Sequence, residues 1–388
     1  MNAPILSSLK INLPPNSGKL ETFVLSEPRA FPEKAKGAFN RVAYSAAHVV
    51  ADARAANDPW LDCSVDWDKT IAYREYLWDL GMGVAEAMDT AQRGMGLDWP
   101  TSLELITRAV KAGKTWEARN GRPALIASGC GTDHLDINSV RSVDAVIHAY
   151  EEQMAAIEKA GGRLIVMASR ALARIAKSPA DYERVYDRVL GQAREPVIIH
   201  WLGEMFDPAL AGYWGNADHM QAMQTAVGII NAHAAKVDGV KISLLDKDKE
   251  IVMRRQLVKG VRMYTGDDKG YSDALLGIFD AIAPAASAAM TALAAGDRKT
   301  FDAILEPTVP LSRHIFKAPT RFYKTGVVFM AYLNGLQDHF VMVGGQQSAR
   351  SLAHFAEIFR LADGAGLLRK PDLARSRMQA VLAVHGMG

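Results

Sequence analysis

The sequence contains very little cysteine and no excess of charge of either sign. Its 388 residues include two cysteines, Cys63 and Cys130, with 45 Lys and Arg against 43 Asp and Glu, for a formal net charge of +2. Two cysteines cannot build a disulfide framework and their separation fits no zinc-ligand spacing, so we expect both to pack as small hydrophobic residues. The balanced charge, without a run of Lys and Arg, excludes the basic surface typical of nucleic-acid-binding proteins.

Long hydrophobic runs are also missing. No segment approaches the ~20 uncharged apolar residues of a transmembrane helix, so no membrane partner is expected. The N-terminal sequence MNAPILSSLKINLPPNSGK lacks the charged segment and unbroken apolar segment of a secretion signal, which predicts a cytoplasmic protein. The glycine-containing segments 129–131 and 344–345 are too short for a dinucleotide fingerprint or a P-loop, so no cofactor is expected.

What the chain does contain is an alternation of short apolar runs with longer segments of helical period. It is 49% hydrophobic and 23% charged, enough for a large core, and barrels commonly run to about 250 residues. The predicted strands are 41–50, 83–88, 123–128, 163–169, 196–202, 238–244, 261–266 and 276–282. The predicted helices between them are 68–80, 101–118, 139–160, 179–193, 217–236, 247–259 and 268–275. Eight strands separated by helices are the number that closes a barrel, so the sequence predicts an α/β fold, a (β/α)₈ TIM barrel.

The barrel is predicted to span residues 41–284, between two extensions. In the N-terminal extension, 1–40, two short strands at 9–13 and 20–25 around a Pro-Pro-Asn-Ser-Gly turn predict a hairpin. The strand pattern stops after Pro284, and 285–388 is predicted to be a helical subdomain. Its predicted helices are 285–295, 298–316, 320–335, 347–363 and 371–384. These helices are too apolar to stay bare, so we expect them to pack on the barrel or on another subunit of a homo-oligomer.

Polar residues gather at the predicted C-terminal ends of the strands, which form the active face of such a barrel. They are His48, Glu86, Asp89, Thr90, Asp133, His134, Ser169, His200, Lys241, Gly266, Asp267 and Asp268. Lys241 is the most informative because it stands alone in the hydrophobic strand VDGVKIS. If it is desolvated in the barrel mouth, its lowered pKa would provide an uncharged amine to attack a ketone. The alternative is a lysine that points outward beneath a helix or caps a carboxylate.

The surroundings of Lys241 resemble the dihydrodipicolinate synthase/N-acetylneuraminate lyase superfamily. The segments DGVKISLLD, VRMYTGDD and LGIFDAIAP follow one another as the family's last three strands do, and GVAEAMDTAQRG at 83–94 resembles its second-strand segment. The resemblance runs weakly from about 41 to 340 and is that of a remote branch. It implies a class I aldolase-type TIM barrel with a helical C-terminal extension.

The resemblance also implies a role for each matching residue. Lys241 aligns with the lysine that forms a Schiff base, and Thr90 aligns with a threonine that holds the carboxylate of a keto acid. Asp89 and Gln92 stand where the family has threonine and glutamate. His200 occupies the position of the catalytic tyrosine, and it can relay protons because histidine titrates near neutrality. The alternative is that His200 is a structural histidine, hydrogen-bonded beneath the loop.

The predicted function is that of a lyase, a retro-aldolase or a dehydratase, acting on a small 2-oxo acid or keto-sugar. Lys241 and His200 are the predicted catalytic residues. The predicted substrate-binding residues are Asp89, Thr90, Gln92, Glu86, His48, His134, Gly266, Asp267 and Asp268. Asp267 and Asp268 could instead cap the following helix.

Two other functions are consistent with the same residues. His48, His134 and His200, with Glu86 and Asp89, could bind a divalent metal in a metal-dependent aldolase or isomerase. No H-x-H or H-E-x-x-H spacing supports this, and we assign no metal ligand. The second alternative is a non-catalytic ligand-binding barrel, since a fold does not imply a function. The missing tyrosine favours it, whereas the polar residues kept at nearly every strand end argue against it.

Overall fold

The N-terminal strands form the predicted hairpin. The structure is a computed structural model that describes residues 9–15, 19–265 and 272–387. Strands β1 (Lys10–Leu13) and β2 (Glu21–Val24) pair antiparallel. Ile11 and Leu13 are buried while their neighbours in β1 are exposed, so one face of the hairpin is covered.

Eight further strands run parallel in one sheet. They are β3 (Ala43–Ala46), β4 (Gly83–Glu86), β5 (Ile126–Cys130), β6 (Arg163–Met167), β7 (Val197–Leu202), β8 (Val237–Ser243), β9 (Arg262–Tyr264) and β10 (Ala274–Leu276). The order across the sheet is β10-β3-β4-β5-β6-β7-β8-β9. The two outer strands come together through a parallel bridge between Tyr264 and Asp273, where Thr265 N donates to the Asp273 carbonyl over 3.0 Å. The sheet is therefore a nearly closed barrel, and the predicted α/β TIM-barrel fold is confirmed.

Helices follow the strands and continue to the end of the chain. They are α1 (Trp67–Asp79), α2 (Trp99–Asn120), α3 (Val143–Ala160), α4 (Arg170–Ile175), α5 (Pro179–Gln192), α6 (His219–Ala232), α7 (Lys247–Gln256), α8 (Ile278–Ala294), α9 (Arg298–Leu305), α10 (Val309–Ile315), α11 (Lys324–Leu333), α12 (Leu352–Gly364) and α13 (Pro371–Val384). Several begin at an aspartate or serine that accepts an amide proton of the first turn, as Asp98 does for α2 and Asp246 for α7.

The predicted position of the last barrel strand is wrong. We expected it at 276–282, but β10 ends at Leu276 and the helix α8 begins at Ile278. A short apolar run fits a buried strand and a buried helix equally well, so periodicity could not separate them. The helix predicted over 268–275 is wrong where β10 occupies it, and its first residues lie outside the described ones.

The interior of the barrel is filled by side chains from alternate positions of the strands, together with Met88 from the loop after β4. The buried cluster comprises Tyr44, Ala46, Ala85, Met88, Ala127, Ile165, Ile198, Tyr264 and Leu275. Gly239 in β8 makes room for Tyr264, because a Cβ at Gly239 would stand 2.6 Å from Tyr264 Cε2. Since side chains alternate across a strand, the residues two positions after Ile198 and Gly239 also face the interior. Those residues are His200 and Lys241.

The chain divides into two compact units. One contains Met1–Asn40, His48–Gly81 and Gly277–Gly388, and the other contains Arg41–Ala47 and Met82–Leu276. The second unit holds all eight strands of the barrel. Across the described ranges, no helix combines the length and the apolar composition needed to cross a membrane. A cytoplasmic location and a homo-oligomeric state stay predictions.

Candidate active site

Lys241 and His200 lie side by side at the C-terminal ends of their strands. They are register partners of the parallel strands β8 and β7. Both are nearly inaccessible, with 8% of Lys241 and 3% of His200 exposed. The Lys241 ammonium nitrogen lies 3.3 Å from the Ile242 carbonyl oxygen. The structure thus places an amine and an imidazole together towards the C-terminal end of the barrel, the end at which characterised TIM-barrel enzymes have their active sites.

His200 is held as a neutral imidazole. Its Nε2 lies 3.1 Å from the hydroxyl oxygen of Ser243, two residues beyond Lys241 on β8. Burial lowers the pKa of His200 to about 4; the Asp89 carboxylate offsets part of this effect and the Lys241 ammonium adds to it. The ring is therefore uncharged at pH 7 and can accept a proton on one nitrogen.

Asp89 and Thr90 come from the loop that follows β4. The strand ends at Glu86, whose buried carboxylate accepts the amide proton of Ala87 over 3.0 Å. Ala87 has φ +50°, a left-handed conformation that turns the chain into the short 3₁₀ segment Asp89–Ala91. Thr90 is fully buried there, and the charge of Asp89 reaches His200. The Asp89 carboxylate and Lys241 therefore both affect the pKa of His200, in opposite directions.

Gln92 has a local role in the same loop. It ends the 3₁₀ segment with φ +65°, and its Nε2 donates to the Met95 carbonyl over 3.2 Å. The side chain is 1% exposed. The Gln92 side chain thus already closes this turn, so the predicted contact with a substrate would compete with its hydrogen bond to Met95.

Arg93 is the residue that sequence reasoning missed. Its Nε and Nη2 donate to the two carboxylate oxygens of Asp133, both at 2.8 Å, and Nη2 also donates to Gln153 Oε1 at 2.7 Å. Its Nη1 donates to the carbonyls of Gly129 at 2.8 Å and Ala87 at 3.3 Å. The guanidinium therefore ties the loop after β4 to the loop after β5. Nothing in the spacing of Arg93 distinguished it from a surface arginine.

Asp133 and His134, predicted near the site, belong to this network. Burial alone would raise the pKa of Asp133, but the Arg93 guanidinium and the Gln153 amide hold it below its usual value. Gln153 Nε2 lies 2.7 Å from His134 Nδ1, and His134 Nε2 lies 3.3 Å from a carboxylate oxygen of Glu152. Both side chains hold the loop after β5 in place.

His48 follows β3 and belongs to a hydrogen-bond network within the first of the two compact units. Its Nδ1 lies 2.7 Å from Asp280 Oδ2, and its Nε2 lies 3.1 Å from Gln337 Oε1. Tyr73 donates its hydroxyl proton to the same carboxylate over 2.8 Å, and Arg74 donates to the His48 carbonyl. Both ring nitrogens therefore already have protein partners, and His48 is 1% exposed.

The metal hypothesis gains no support from these positions. His48 and His134 each have both ring nitrogens beside protein groups. Within residues 9–15, 19–265 and 272–387, no three His, Cys, Asp or Glu side chains are grouped as metal ligands. Gly266, Asp267 and Asp268, predicted to bind substrate, lie outside the described residues.

Comparison with protein families gives one match along nearly the whole chain. Residues 11–387 fit the model of a family described as "Protein of unknown function (DUF993)". The chain belongs to this family. No curated protein matches the sequence.

Dihydrodipicolinate synthases are among the solved structures that share this fold. The enzyme from Methylacidiphilum fumariolicum SolV, a 4-hydroxy-tetrahydrodipicolinate synthase, is 14% identical, with 89% of this chain and 97% of that chain covered and a TM-score of 0.60. The dihydrodipicolinate synthase from Aquifex aeolicus is 12% identical over 89% and 98%, with a TM-score of 0.57. The one from Oceanobacillus iheyensis is 14% identical over 77% and 87%, with a TM-score of 0.56. The predicted resemblance is therefore confirmed at the level of the fold.

Proposed function

We propose that this protein is a lyase that binds a carbonyl substrate as a Schiff base on Lys241. It acts as a retro-aldolase or a dehydratase on a small 2-oxo acid or keto-sugar. The observation that carries the proposal is the buried Lys241, facing the barrel interior beside His200 at the C-terminal ends of β8 and β7. The fold shared with dihydrodipicolinate synthases supports the same chemistry.

The reaction begins with the attack of the Lys241 amine on the carbonyl carbon of the substrate. Burial disfavours the charged form of an amine, and the uncharged form is the nucleophile. Loss of water then gives an iminium, which withdraws electrons from the neighbouring bond. In carbon–carbon cleavage, those electrons pass into an enamine as the hydroxyl of the departing fragment loses its proton.

His200 is the proposed acceptor of that proton. Its imidazole is neutral at pH 7, because burial lowers its pKa to about 4, and it lies on the strand next to Lys241. Its hydrogen bond to Ser243 fixes the ring orientation. Asp89 and Thr90, in the loop after β4, are the proposed groups that orient the oxygen atoms of the substrate.

A trapping experiment tests the proposal. The protein is incubated with a panel of small 2-oxo acids and keto-sugars, borohydride is added, and the mass of the intact protein is measured. We expect one equivalent of covalent adduct with at least one compound, and none in Lys241→Arg, which keeps the charge but is not nucleophilic. Turnover of a substrate without a trappable adduct would contradict the amine mechanism.

A further inference from the structure

The hydroxyl of Ser243 lies on the side of His200 that faces the mouth of the barrel. Ser243 is the last residue of β8 and pairs in register with Leu202, two residues beyond His200 on β7. At about 3.3 Å per residue, its backbone stands roughly 6–7 Å nearer the C-terminal end of the sheet than that of His200. The imidazole spans this separation, because its Nε2 lies 3.1 Å from Ser243 Oγ. Ser243 is 8% exposed and His200 is 3% exposed, so the hydroxyl is the more accessible of the two groups.

His200 cannot keep a proton that it takes from a substrate at pH 7. Burial lowers its pKa to about 4, an effect that the Asp89 carboxylate opposes and the Lys241 ammonium reinforces. An iminium on Lys241 carries the same positive charge, and it would form on the register partner of His200. A proton on the ring must therefore return to the substrate or pass to another group. Among the described residues, the group at hydrogen-bond distance from the ring is the Ser243 hydroxyl.

We propose that Ser243 relays protons between His200 and solvent, and so acts on the reaction through His200. The inference rests on the proposed Schiff-base function. In the resting site, Nε2 carries the ring proton and donates it to Ser243 Oγ, which leaves Nδ1 as the base. When Nδ1 takes a proton from the substrate, the Nε2 proton passes to Oγ and the hydroxyl proton passes to water. The ring ends neutral with its proton on Nδ1, and the reverse transfers return a solvent proton to the substrate.

Exchange of hydrogen with solvent distinguishes a relay from a hydroxyl that only packs beside the ring. The iminium of a small ketone loses a proton from the carbon next to it to His200 and becomes an enamine, which then takes a proton back. Without a relay, the buried imidazole returns the proton that it removed, and the ketone is unchanged. With the relay, the proton on the ring is replaced from solvent, so the ketone takes up deuterium in D₂O.

Pyruvate and hydroxyacetone are suitable probes, because each carries a methyl group next to its ketone. Loss of the methyl proton signal in D₂O is followed by NMR, and formation of the Schiff base is measured separately by borohydride trapping. In Ser243→Ala we expect the exchange rate at saturating probe to fall about tenfold, while the trapped fraction and the half-saturating concentration change little. Ser243→Thr keeps a hydroxyl at this position and should recover most of the exchange.

Ser128→Ala is the matched control. Ser128 is a buried serine of β5 that follows the interior residue Ala127, so its side chain faces away from the barrel interior. Its hydroxyl has no hydrogen-bond partner in the part of the chain that the structure describes, and both exchange and trapping should stay at the wild-type level.

Three results would overturn the inference and leave the Schiff base intact. They are wild-type exchange in Ser243→Ala, a loss of exchange that only matches a loss of trapping, and wild-type protein that exchanges neither probe. No adduct with any member of the carbonyl panel would instead contradict the proposed function, and the inference with it.

Discussion

His200 and Lys241 are register partners on the adjacent parallel strands β7 and β8, so their side chains lie side by side on the same face of the sheet. The sheet itself therefore holds the proposed base next to the proposed nucleophile. Each of the two residues lies two positions after a residue that the barrel packing directs to the interior. Those residues are Ile198, in the buried cluster, and Gly239, against Tyr264. The geometry of the two groups therefore depends on the packing below them as well as on the loops above.

The charge state of His200 can be measured directly. We expect its imidazole to titrate with a pKa of about 4. The titration can be followed through the ring resonances of isotopically labelled histidine in NMR spectra. Lys241→Gln should raise this pKa, because a neighbouring positive charge is removed, and Asp89→Asn should lower it, because a negative charge is removed. A midpoint near the ordinary value of about 6.5 in the wild-type protein would contradict the buried position.

The same shift predicts how stability depends on pH. The folded pKa of about 4 lies below the unfolded value of about 6.5, so the unfolded state takes up the proton first as the pH falls. The contribution of His200 to the free energy of unfolding is therefore fully present above the unfolded pKa. As the pH falls from the unfolded to the folded pKa, the free energy of unfolding decreases by on the order of 3 kcal/mol.

His200→Asn should therefore flatten the acid branch of a plot of unfolding free energy against pH. The comparison is made by urea unfolding at a series of pH values. Burial also lowers the pKa of His354, to about 3, so the difference between wild type and His200→Asn isolates the contribution of His200. Parallel acid branches in the two proteins would contradict the prediction.

Arg93 should be essential to the loop that carries Asp89 and Thr90. Arg93→Met removes the bidentate partner of the Asp133 carboxylate and the hydrogen bonds that Nη1 donates to the carbonyls of Ala87 and Gly129. We expect a loss of about 3–5 kcal/mol in the free energy of unfolding, measured in urea.

A double-mutant cycle with Asp133→Asn should show positive coupling between the two residues. Arg93→Lys keeps the charge but cannot form the bidentate pair, so it should recover only part of the loss. If Arg93→Met changes stability by less than about 0.5 kcal/mol, the network does not hold the loops.

Gly239 should not tolerate a side chain. In Gly239→Ala, the new Cβ would stand 2.6 Å from Tyr264 Cε2 and 2.7 Å from the Arg262 carbonyl oxygen. We expect a loss of about 1–3 kcal/mol, measured by urea unfolding, because β8 and β9 must move apart. Borohydride trapping should also weaken, since Lys241 lies two residues further along β8.

A matched control is Gly228→Ala in the exposed face of α6. Nothing lies within 4 Å of a Cβ at that position, and alanine favours helix by about 0.5–1 kcal/mol over glycine. The control variant should therefore be slightly stabilised. Equal effects of the two substitutions would contradict the steric argument.

The sequence predicted the parallel barrel and the position of Lys241, because a lone lysine in the apolar strand Val237–Ser243 is a local signal. The last strand was misplaced because the apolar run that follows it belongs to α8. A run of that length is too short for its periodicity to distinguish a buried helix from a buried strand. The first strand was predicted too long, and β3 ends at Ala46.

The parts of the site that could not be predicted depend on long-range partners. Arg93 meets Asp133 and Gln153 from two later segments of the chain. His48 meets Asp280, more than two hundred residues away along the chain. Local pattern contains no information on such pairs, so the sequence could name the position of His48 but not its partners, and it gave no reason to single out Arg93.

The location of the trapped adduct tests the central claim most directly. After borohydride treatment with a keto-sugar or 2-oxo acid that forms an adduct, the protein is digested and the modified peptide is sequenced by tandem mass spectrometry. We predict that the added mass lies on Lys241 and that the partly exposed Lys249 of α7 stays unmodified. An adduct on Lys249 or another surface lysine, with Lys241 unmodified, would contradict the account.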